Sequence, residues 1–507
     1  MATSFNDREL RAAPASVQVT APAVPRESGL PSGPAAILGI FGKNTFWLWL
    51  DLGALRIGSL LAGFFLIRYL GPSAFGLYST AIAVGFLVNA VSDFGLTRYT
   101  ARAVAADASE GPPILALSLL ATLGFAIAEV AGLGITILTV HPRAAAICAG
   151  LLINNFEGTA ILCSAMLTAK LRSRQILPGS VLGTSALIAL SAAVILFHLS
   201  VVTFLVLLIF RSLSVLCVRL WQLRDLLPAI RLKSREKLQS LLRSAWPFFC
   251  YNITQVSYSR LSIVCFGFVA PESLVGIFSA AFVLSDVFPQ WSYAMSGALL
   301  PLWTRLFETG RNTELLELRE SLMDVILLLC VPAAIAIAVF APEICSLLGA
   351  RFASSALVLR ILAYRVLLSV VDGFLGHGFL IAINKVRERQ RAQAYALVLL
   401  GVLTLVLGKL WGPTGAALAL FIADTALILQ YLWLLSKIGL RVSSHVLLPC
   451  LLAGSVMAAV ALGLKANAVV VARLLLGFLA YAMLLLLFSR ARLLGAGRTL
   501  RHCFSGV

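Results

Sequence analysis

Charged residues are scarce in this chain of 507 residues: aspartate, glutamate, lysine and arginine together make up only 12% of the sequence. In ordinary soluble domains roughly a quarter of the residues are charged. A share of 12% could not cover the surface of a soluble protein of this size. Apolar residues make up 60% instead, and apolar runs long enough to cross a bilayer as helices recur along the chain. The composition therefore indicates a polytopic α-helical membrane protein.

Motifs of catalysis and of cofactor binding are also lacking. The nine cysteines include no Cys-x-x-Cys pair, so the sequence predicts neither a disulfide framework nor a metal site. It contains no Walker phosphate loop, His-Glu-x-x-His, Gly-x-Ser-x-Gly or paired Asp-x-Asp motif. We therefore expect a protein that is not an enzyme, uses no cofactor and takes its energy from an ion gradient, the membrane potential or removal of the product.

The apolar runs predict fourteen membrane spans. They lie near residues 45–69, 76–97, 113–139, 144–167, 176–197, 200–220, 245–268, 275–300, 321–348, 355–382, 392–409, 413–435, 446–464 and 468–488. Most of the 40 lysines and arginines fall in the segments that this count assigns to the cytoplasm. Because cytoplasmic loops are enriched in basic residues, we expect both termini in the cytoplasm. The positive charge then indicates orientation and contact with anionic membrane lipids, not nucleic-acid binding.

Several segments differ in composition from the spans. The proline-rich N-terminus has no helical periodicity, which predicts disorder and not a secretory signal. The predicted organisation is a disordered cytoplasmic tail (1–40), an N-terminal lobe of six spans (41–227), a basic cytoplasmic linker (228–244), a C-terminal lobe of six spans (245–440), two further spans (441–489) and a basic cytoplasmic tail (490–507).

One segment occurs twice, about two hundred residues apart. The segment "IRYLGPSAFGLYSTAIAV" at residues 67–84 is similar to "GFVAPESLVGIFSAAFVL" at residues 267–284, and Gly76 corresponds to Gly276. In both copies the proline-to-glycine turn falls in a loop between two predicted spans. An even number of spans separates the copies, so both have the same orientation. This predicts two pseudo-symmetric lobes related by an axis along the membrane normal.

Five short motifs follow one another between residues 40 and 490. They are Asn44 with "RYLGPSAFGLY" (68–78), "DFGLTR" (93–98), "VGIFSAAFVLSD" (275–286), "ALLPLWTRL" (298–306) and "WGPTGAALALFIAD" (411–424). Their order and loop placement resemble the polysaccharide transporter family, the O-antigen and exopolysaccharide flippases of the MATE-like MOP superfamily. The resemblance implies a bacterial inner-membrane protein that exports an undecaprenyl-pyrophosphate-linked oligosaccharide for polysaccharide biosynthesis, with polymerase or export machinery as candidate partners. One departure is Arg260, near a position where relatives often carry an acidic residue.

Charged and polar residues inside the spans are the candidate substrate-binding groups, because a charge in mid-membrane usually faces a cavity or a partner. Arginine binds phosphate through two parallel hydrogen bonds, which suits the pyrophosphate that the resemblance implies. Arg56 and Arg260 lie in corresponding spans, one and seven. The full candidate set is Arg56, Arg211, Asn252, Gln255, Ser259, Arg260, Asp286, Gln290, Tyr293 and Arg365. Structural hydrogen bonding between helices remains the alternative for each.

Intramembrane aspartates are the candidates for ion coupling. They are Asp93, Asp286, Asp372 and Asp424. Arg365 and Asp372 are seven residues apart on one helix face, which predicts either an internal ion pair or a coupling site at Asp372 that Arg365 tunes. His377 lies one turn further, as a packing donor or a group that titrates near neutral pH. Because intramembrane acids balance arginines, two alternatives remain: an ion-coupled multidrug or organic-cation antiporter, and a lipid II flippase of the same superfamily.

Overall fold

The computed structural model describes residues 34–227, 235–440, 447–463 and 473–483. Every regular element among these residues is helical, which confirms the predicted all-α membrane fold. The first helix begins at Pro34, within the segment predicted as a disordered tail, because the sequence becomes apolar at that point. The remainder of that predicted tail, the start of the basic linker and the C-terminal basic tail lie outside the described residues.

The described chain divides into two compact units, of which the first ends at Ser279 and the second begins at Ala280. The N-terminal unit contains α1 (Pro34–Ser92), α2 (Leu96–Ala106), α3 (Gly111–Leu138), α4 (Pro142–Ala169), α5 (Ile176–Leu196), α6 (Val201–Gln222), α7 (Arg235–Val269) and the first half of α8 (Glu272–Ser285). This division places α7 with the N-terminal unit, whereas the predicted lobes assign it to the C-terminal half.

The C-terminal unit begins within α8. Its further helices are α9 (Val287–Glu308), α10 (Asn312–Val339), α11 (Ala341–Leu347), α12 (Ser355–Asp372), a π-helix (Gly373–Phe379), α13 (Leu380–Ala382), α14 (Val386–Lys437), α15 (Leu447–Gly463) and α16 (Arg473–Met483). A helix lies at each of the fourteen predicted spans. Among the described residues, seven helical segments are long and apolar enough to cross a membrane, and one of them, Val386–Lys437, contains two predicted spans.

Two long helices each contain two predicted spans joined at a Gly-Pro pair. In α1 the bend lies at Gly71, whose φ is 70°, followed by Pro72. In α14 it lies at Gly412, whose φ is 60°, followed by Pro413. Glycine adopts these left-handed angles without a Cβ clash, and proline cannot donate the next helical hydrogen bond. The turn predicted between spans one and two is therefore a sharp bend within one continuous element.

Helix α4 is the centre of the N-terminal unit, where it packs against α1, α3 and α6. Its side chains Leu162, Cys163 and Met166 are fully buried. In the C-terminal unit α12 packs against α10 and α14. Large apolar side chains such as Leu138 and Phe210 are exposed, as expected for helices that face lipid hydrocarbon. This arrangement places the polar groups of α1, α3, α4 and α12 inside the bundles.

Candidate functional site

The two copies of the sequence repeat contact each other within the N-terminal unit. A side-chain carbon added at Gly76 would overlap the carbonyl oxygen of Glu272 and lie 2.8 Å from the nitrogen of Gly276. A carbon added at Gly276 would overlap the carbonyl oxygen of Pro72 and lie 3.0 Å from the nitrogen of Gly76. The two backbones therefore touch at positions where only glycine fits.

This contact is reciprocal under the offset of the sequence repeat. Gly76 meets Glu272 while Gly276 meets Pro72, so the same pair of positions is used twice with the roles exchanged. Such reciprocity is the signature of a twofold contact, in which one surface meets its own copy. Arg143 lies at the same end of the unit, where it donates to the Gly267 carbonyl at 2.6 Å and lies 3.9 Å from Glu272.

A second close contact joins α7 to the turn after α1. A side-chain carbon at Gly95, whose φ is 73°, would overlap the backbone of Phe249. Phe94 stacks on the Phe249 ring with centroids 4.7 Å apart, and the Arg98 guanidinium lies 4.6 Å from the centre of the Tyr251 ring. Predicted span two thus ends at Ser92, five residues early, because the left-handed turn redirects the chain into α2.

Arg211, a predicted substrate ligand, is paired inside the N-terminal unit. Its guanidinium forms an ion pair with Glu157 and its Nε donates to the Gly183 carbonyl at 2.8 Å. Ser212 also donates to the Glu157 carboxylate, at 3.2 Å. The side chains of Arg211 and Glu157 are only 15% and 31% exposed. This geometry matches the structural alternative for Arg211, in which each charge neutralises the other between helices.

Helix α7 carries four of the predicted substrate-binding residues, and all four are half-buried. They are Asn252, Gln255, Ser259 and Arg260. The Arg260 guanidinium lies 4.6 Å from the centre of the Phe86 ring of α1. Ser259 donates to the Val256 carbonyl at 2.8 Å. Arg56 lies on α1, and its side chain falls outside the described part of the structure. The predicted pairing of Arg56 with Arg260 therefore stays a prediction.

A small polar pocket lies inside the N-terminal unit, between α1, α3 and α4. Its cavity volume is about 10 Å³, which is room for one water-sized particle. Three pairs of polar residues four positions apart line it: Asn89 and Asp93, Ser118 and Thr122, Asn155 and Thr159. Only Asp93 was among the predicted site residues. The i, i+4 spacing of polar residues on three successive spans is the signal that could have identified the others.

In the C-terminal unit, the structure pairs Arg365 with Asp424. The Arg365 Nε lies 2.8 Å from Asp424 Oδ2, and the two side chains are only 6% and 5% exposed. The Arg365 guanidinium also lies 5.1 Å from the centre of the Phe282 ring. The pair joins α12 to α14, so two residues predicted for different roles, substrate binding and ion coupling, form one interhelical ion pair.

Asp372 belongs to a second buried polar cluster, at the start of the π-helix. Tyr431 donates to Asp372 Oδ1 at 3.1 Å, and His377 Nε2 lies 3.8 Å from Asp372 Oδ2. Arg389, which is fully buried, approaches His377 Nε2 to 2.6 Å. Single π-helical turns within α-helices are frequent at functional sites. The periodicity of span ten identified Asp372 and His377, but not Tyr431 or Arg389, which lie on another helix.

The remaining predicted residues lie around the start of α9. Asp286 is half-buried at the junction of α8 and α9, and its side chain does not cap α9. The side chains of Gln290 and Tyr293 fall outside the described part of the structure. The predicted polar face on span eight is therefore divided by a break at Asp286, and its role stays a prediction.

A family of known proteins matches the first half of this chain. Residues 41–307 match the model of a family described as "Polysaccharide biosynthesis protein". This range includes most of α1, all of α2 to α8 and most of α9, and with them both copies of the repeat. No sequence among curated proteins matches the chain.

Solved transporters share the fold over most of the chain. The lipid II flippase MurJ in an inward closed conformation has a TM-score of 0.69 at 13% identity, covering 88% of this chain and 99% of its own. An inward-facing multidrug resistance MATE family transporter of the MOP superfamily has a TM-score of 0.60 at 17% identity, covering 77% and 97%. A MOP superfamily transporter from Pyrococcus furiosus has a TM-score of 0.52 at 18% identity, covering 79% and 95%. The chain belongs to the polysaccharide biosynthesis protein family and has the membrane-transporter fold of the MOP superfamily.

Proposed function

We propose that this protein is a flippase that moves undecaprenyl-pyrophosphate-linked oligosaccharides from the cytoplasmic to the outer face of the bacterial inner membrane. The observation that carries the proposal is the combination of the polysaccharide biosynthesis family match with a fold shared with the lipid II flippase MurJ. Both termini would lie in the cytoplasm. The partners would be membrane lipids and, on the outer side, the polymerase or export machinery that consumes the oligosaccharide.

The mechanism that we infer is alternating access through the repeated elements. The topology predicted from the basic loops places Gly76 and Gly276 at the outer end of their spans. With the two backbones in direct contact there, the outer end is closed between α1 and α8. Transport would separate these two glycines and bring the opposite ends of the same helices together. A twofold arrangement suits this exchange, because each copy of the repeat makes the same movement.

Arg260 is our candidate for holding the pyrophosphate. It is half-buried on α7, and a guanidinium can bind two phosphate oxygens at once. Arg56 on α1 is the second candidate, from the corresponding span of the other repeat. Asn252, Gln255 and Ser259 on α7 add amide and hydroxyl groups, which can hydrogen-bond sugar hydroxyls. We therefore assign recognition of the headgroup to α7, with the phosphates at Arg260.

Two other arginines leave the set of proposed phosphate ligands. Arg211 is neutralised by Glu157, and Arg365 is neutralised by Asp424. Binding a phosphate at either arginine would strand a carboxylate in the membrane interior, which is energetically unfavourable. We assign both arginines a structural role in joining helices.

The experiment is a flipping assay with a fluorescent undecaprenyl-pyrophosphate oligosaccharide in proteoliposomes. We expect transport by the wild type and a loss of about 10-fold or more for Arg260→Ala, the effect of removing one charge-assisted contact. Arg260→Lys keeps the charge but loses the paired geometry, so it should retain partial activity. Arg102→Ala is the matched control, because Arg102 is an exposed arginine on α2.

One outcome would contradict the proposed function, and another would contradict the proposed phosphate site. If the wild type moves none of the lipid but exports a cationic dye down an imposed ion gradient, the protein is a multidrug antiporter. If the wild type transports the lipid but Arg260→Ala matches Arg102→Ala, the flippase function stands and the phosphate site lies elsewhere. Thermal unfolding of each purified variant distinguishes a lost contact from a lost fold.

A further inference from the structure

Arg143 connects three helices at the predicted outer end of the N-terminal unit. It is the second residue of α4. Its Nη2 donates to the Gly267 carbonyl at 2.6 Å, and its Nε lies 3.9 Å from Glu272 Oε1. Gly267 is near the end of α7, and Glu272 is in the first turn of α8. Arg143 therefore holds the reversal between α7 and α8 from the side of α4.

The bond to Gly267 is the stronger of the two contacts. The last four carbonyls of a helix have no partner within the helix, and their partial negative charge attracts a cation. Gly267 carries one of these carbonyls, because α7 ends at Val269. A hydrogen bond from a charged donor is stronger than one between neutral groups. The pair with Glu272 contributes less, since ion pairs exposed to water are weak and Arg143 is 52% exposed.

These contacts cross the place where the inferred transport movement separates α8 from α1. A side-chain carbon added at Gly85 of α1 would overlap the carbonyl oxygen of Gly150 of α4. The backbones of α1 and α4 therefore touch, and such close packing makes the two helices move together. Arg143 then stays with α1, and α8 can leave α1 only after the contacts of Arg143 break.

The second half of the chain has the opposite charge at the corresponding position. The offset of 200 in the repeat places Pro142 and Arg143 opposite Pro342 and Glu343, and both prolines lie in the first turn of a helix, α4 and α11. Glu343 pairs with Arg473 of α16 at 3.0 Å. The twofold contact of the glycines thus has an arginine bond added on one side, so this bond is not part of the framework that both halves share.

We propose that Arg143 is a latch that holds the outer end closed through Gly267 and Glu272 and releases both each time α8 moves away from α1. This inference rests on the proposed alternating access. The partial exposure of Arg143 suits a bond that must break repeatedly, because water hydrates the released guanidinium, whereas a fully buried charge would lose its partner at a high cost. Removing the latch shifts the population toward the state that is open to the outside.

The test measures how often the outer end opens. Ser279 lies three residues beyond Gly276 on α8, is fully buried, and its hydroxyl has no hydrogen-bond partner among the described residues. Ser279→Cys therefore places a thiol of similar size behind the closed contact. The full-length protein in right-side-out membrane vesicles is treated with a membrane-impermeant maleimide, and peptide mass spectrometry gives the rate of labelling at position 279.

Variants of Arg143 are compared in the Ser279→Cys protein. Arg143→Ala should raise the labelling rate about 5-fold or more, the effect of losing one charge-assisted hydrogen bond. Arg143→Lys keeps a charged donor and should label nearly as slowly as the parent. Arg143→Glu cannot donate to the carbonyl and repels Glu272, so it should label fastest. Arg68→Ala is the matched control, because Arg68 is an exposed arginine at the outer end of α1; it should leave the rate unchanged.

Two results would overturn the proposal. One is equal labelling at position 279 with Arg143, with Arg143→Ala and with Arg68→Ala. The other is a parallel rise in labelling of the native Cys163, which is fully buried in the same unit; it would show that Arg143→Ala loosens the whole fold. Because the labelling uses no cargo, its outcome is separate from that of the flipping assay.

Discussion

Gly76 and Gly276 lie backbone to backbone: a side-chain carbon added at Gly76 would overlap the carbonyl oxygen of Glu272, and one added at Gly276 would overlap the carbonyl oxygen of Pro72. The weak sequence repeat thus corresponds to a direct contact between its two copies in the structure. Helix α1 and helix α8 meet around a local twofold axis, and the absence of a side chain at both glycines permits the approach.

The first prediction concerns this contact. Gly76→Ala or Gly276→Ala should destabilise the N-terminal unit by about 1–3 kcal/mol, because the added carbon meets backbone atoms that cannot rotate away. Thermal unfolding of the purified variants measures the effect. Gly63→Ala is the control on the same helix, since a carbon there would have no neighbour within 4 Å. Equal stability of Gly76→Ala and Gly63→Ala would show that the contact does not form.

The second prediction concerns the ion pair of Arg211 and Glu157. Arg211→Ala should destabilise the protein by about 3 kcal/mol, because it leaves a carboxylate without its partner inside the bundle. Combining Arg211→Leu with Glu157→Gln should recover most of that loss. A double variant that unfolds at the temperature expected from adding the two single effects would contradict the pairing.

The third prediction separates structure from function at Arg365 and Asp424. Either single neutral substitution should destabilise the protein by about 3–5 kcal/mol, as for other buried pairs that lose one partner. The double variant Arg365→Met with Asp424→Leu should fold and retain lipid flipping, because both charges are removed together. A folded double variant without transport would show that one of these residues acts on the substrate or on the coupling ion.

The fourth prediction concerns the cluster at the π-helix. Tyr431→Phe removes the hydroxyl that donates to Asp372 and should destabilise the protein by about 1–3 kcal/mol, since a buried acceptor loses its donor. Tyr395 lies on the same helix, α14, but is 69% exposed, so Tyr395→Phe should leave the unfolding temperature unchanged. Equal effects of the two substitutions would indicate that the hydroxyl of Tyr431 is not engaged.

The spans and the repeat could be predicted from the sequence because both depend on local patterns. An apolar run of sufficient length is enough to indicate a membrane helix. The proline-to-glycine turn recurs because the chain turns sharply in both copies, next to the same close backbone contact. Breaks inside spans were missed at Asp286 and at the π-helix, since hydropathy is insensitive to a change in hydrogen-bond register.

Partners across helices could not be predicted from periodicity. The spacing of Arg365 and Asp372 correctly places them on one face of a helix, yet the structure brings Arg365 to Asp424 of α14. Arg211 likewise meets Glu157 of α4. Helical periodicity states which way a side chain points and says nothing about which helix it meets. The polar pocket combines side chains of three elements, so its residues acquire a common meaning only after packing.

The most direct test of the central claim compares three cargoes in one preparation of wild-type proteoliposomes. The cargoes are a fluorescent undecaprenyl-pyrophosphate oligosaccharide, lipid II and a cationic dye, each followed with and without an imposed ion gradient. The account predicts that the oligosaccharide lipid is moved to the opposite leaflet faster than lipid II and that the dye is not exported. Transport of the dye alone, or of lipid II in preference to the oligosaccharide lipid, would contradict it.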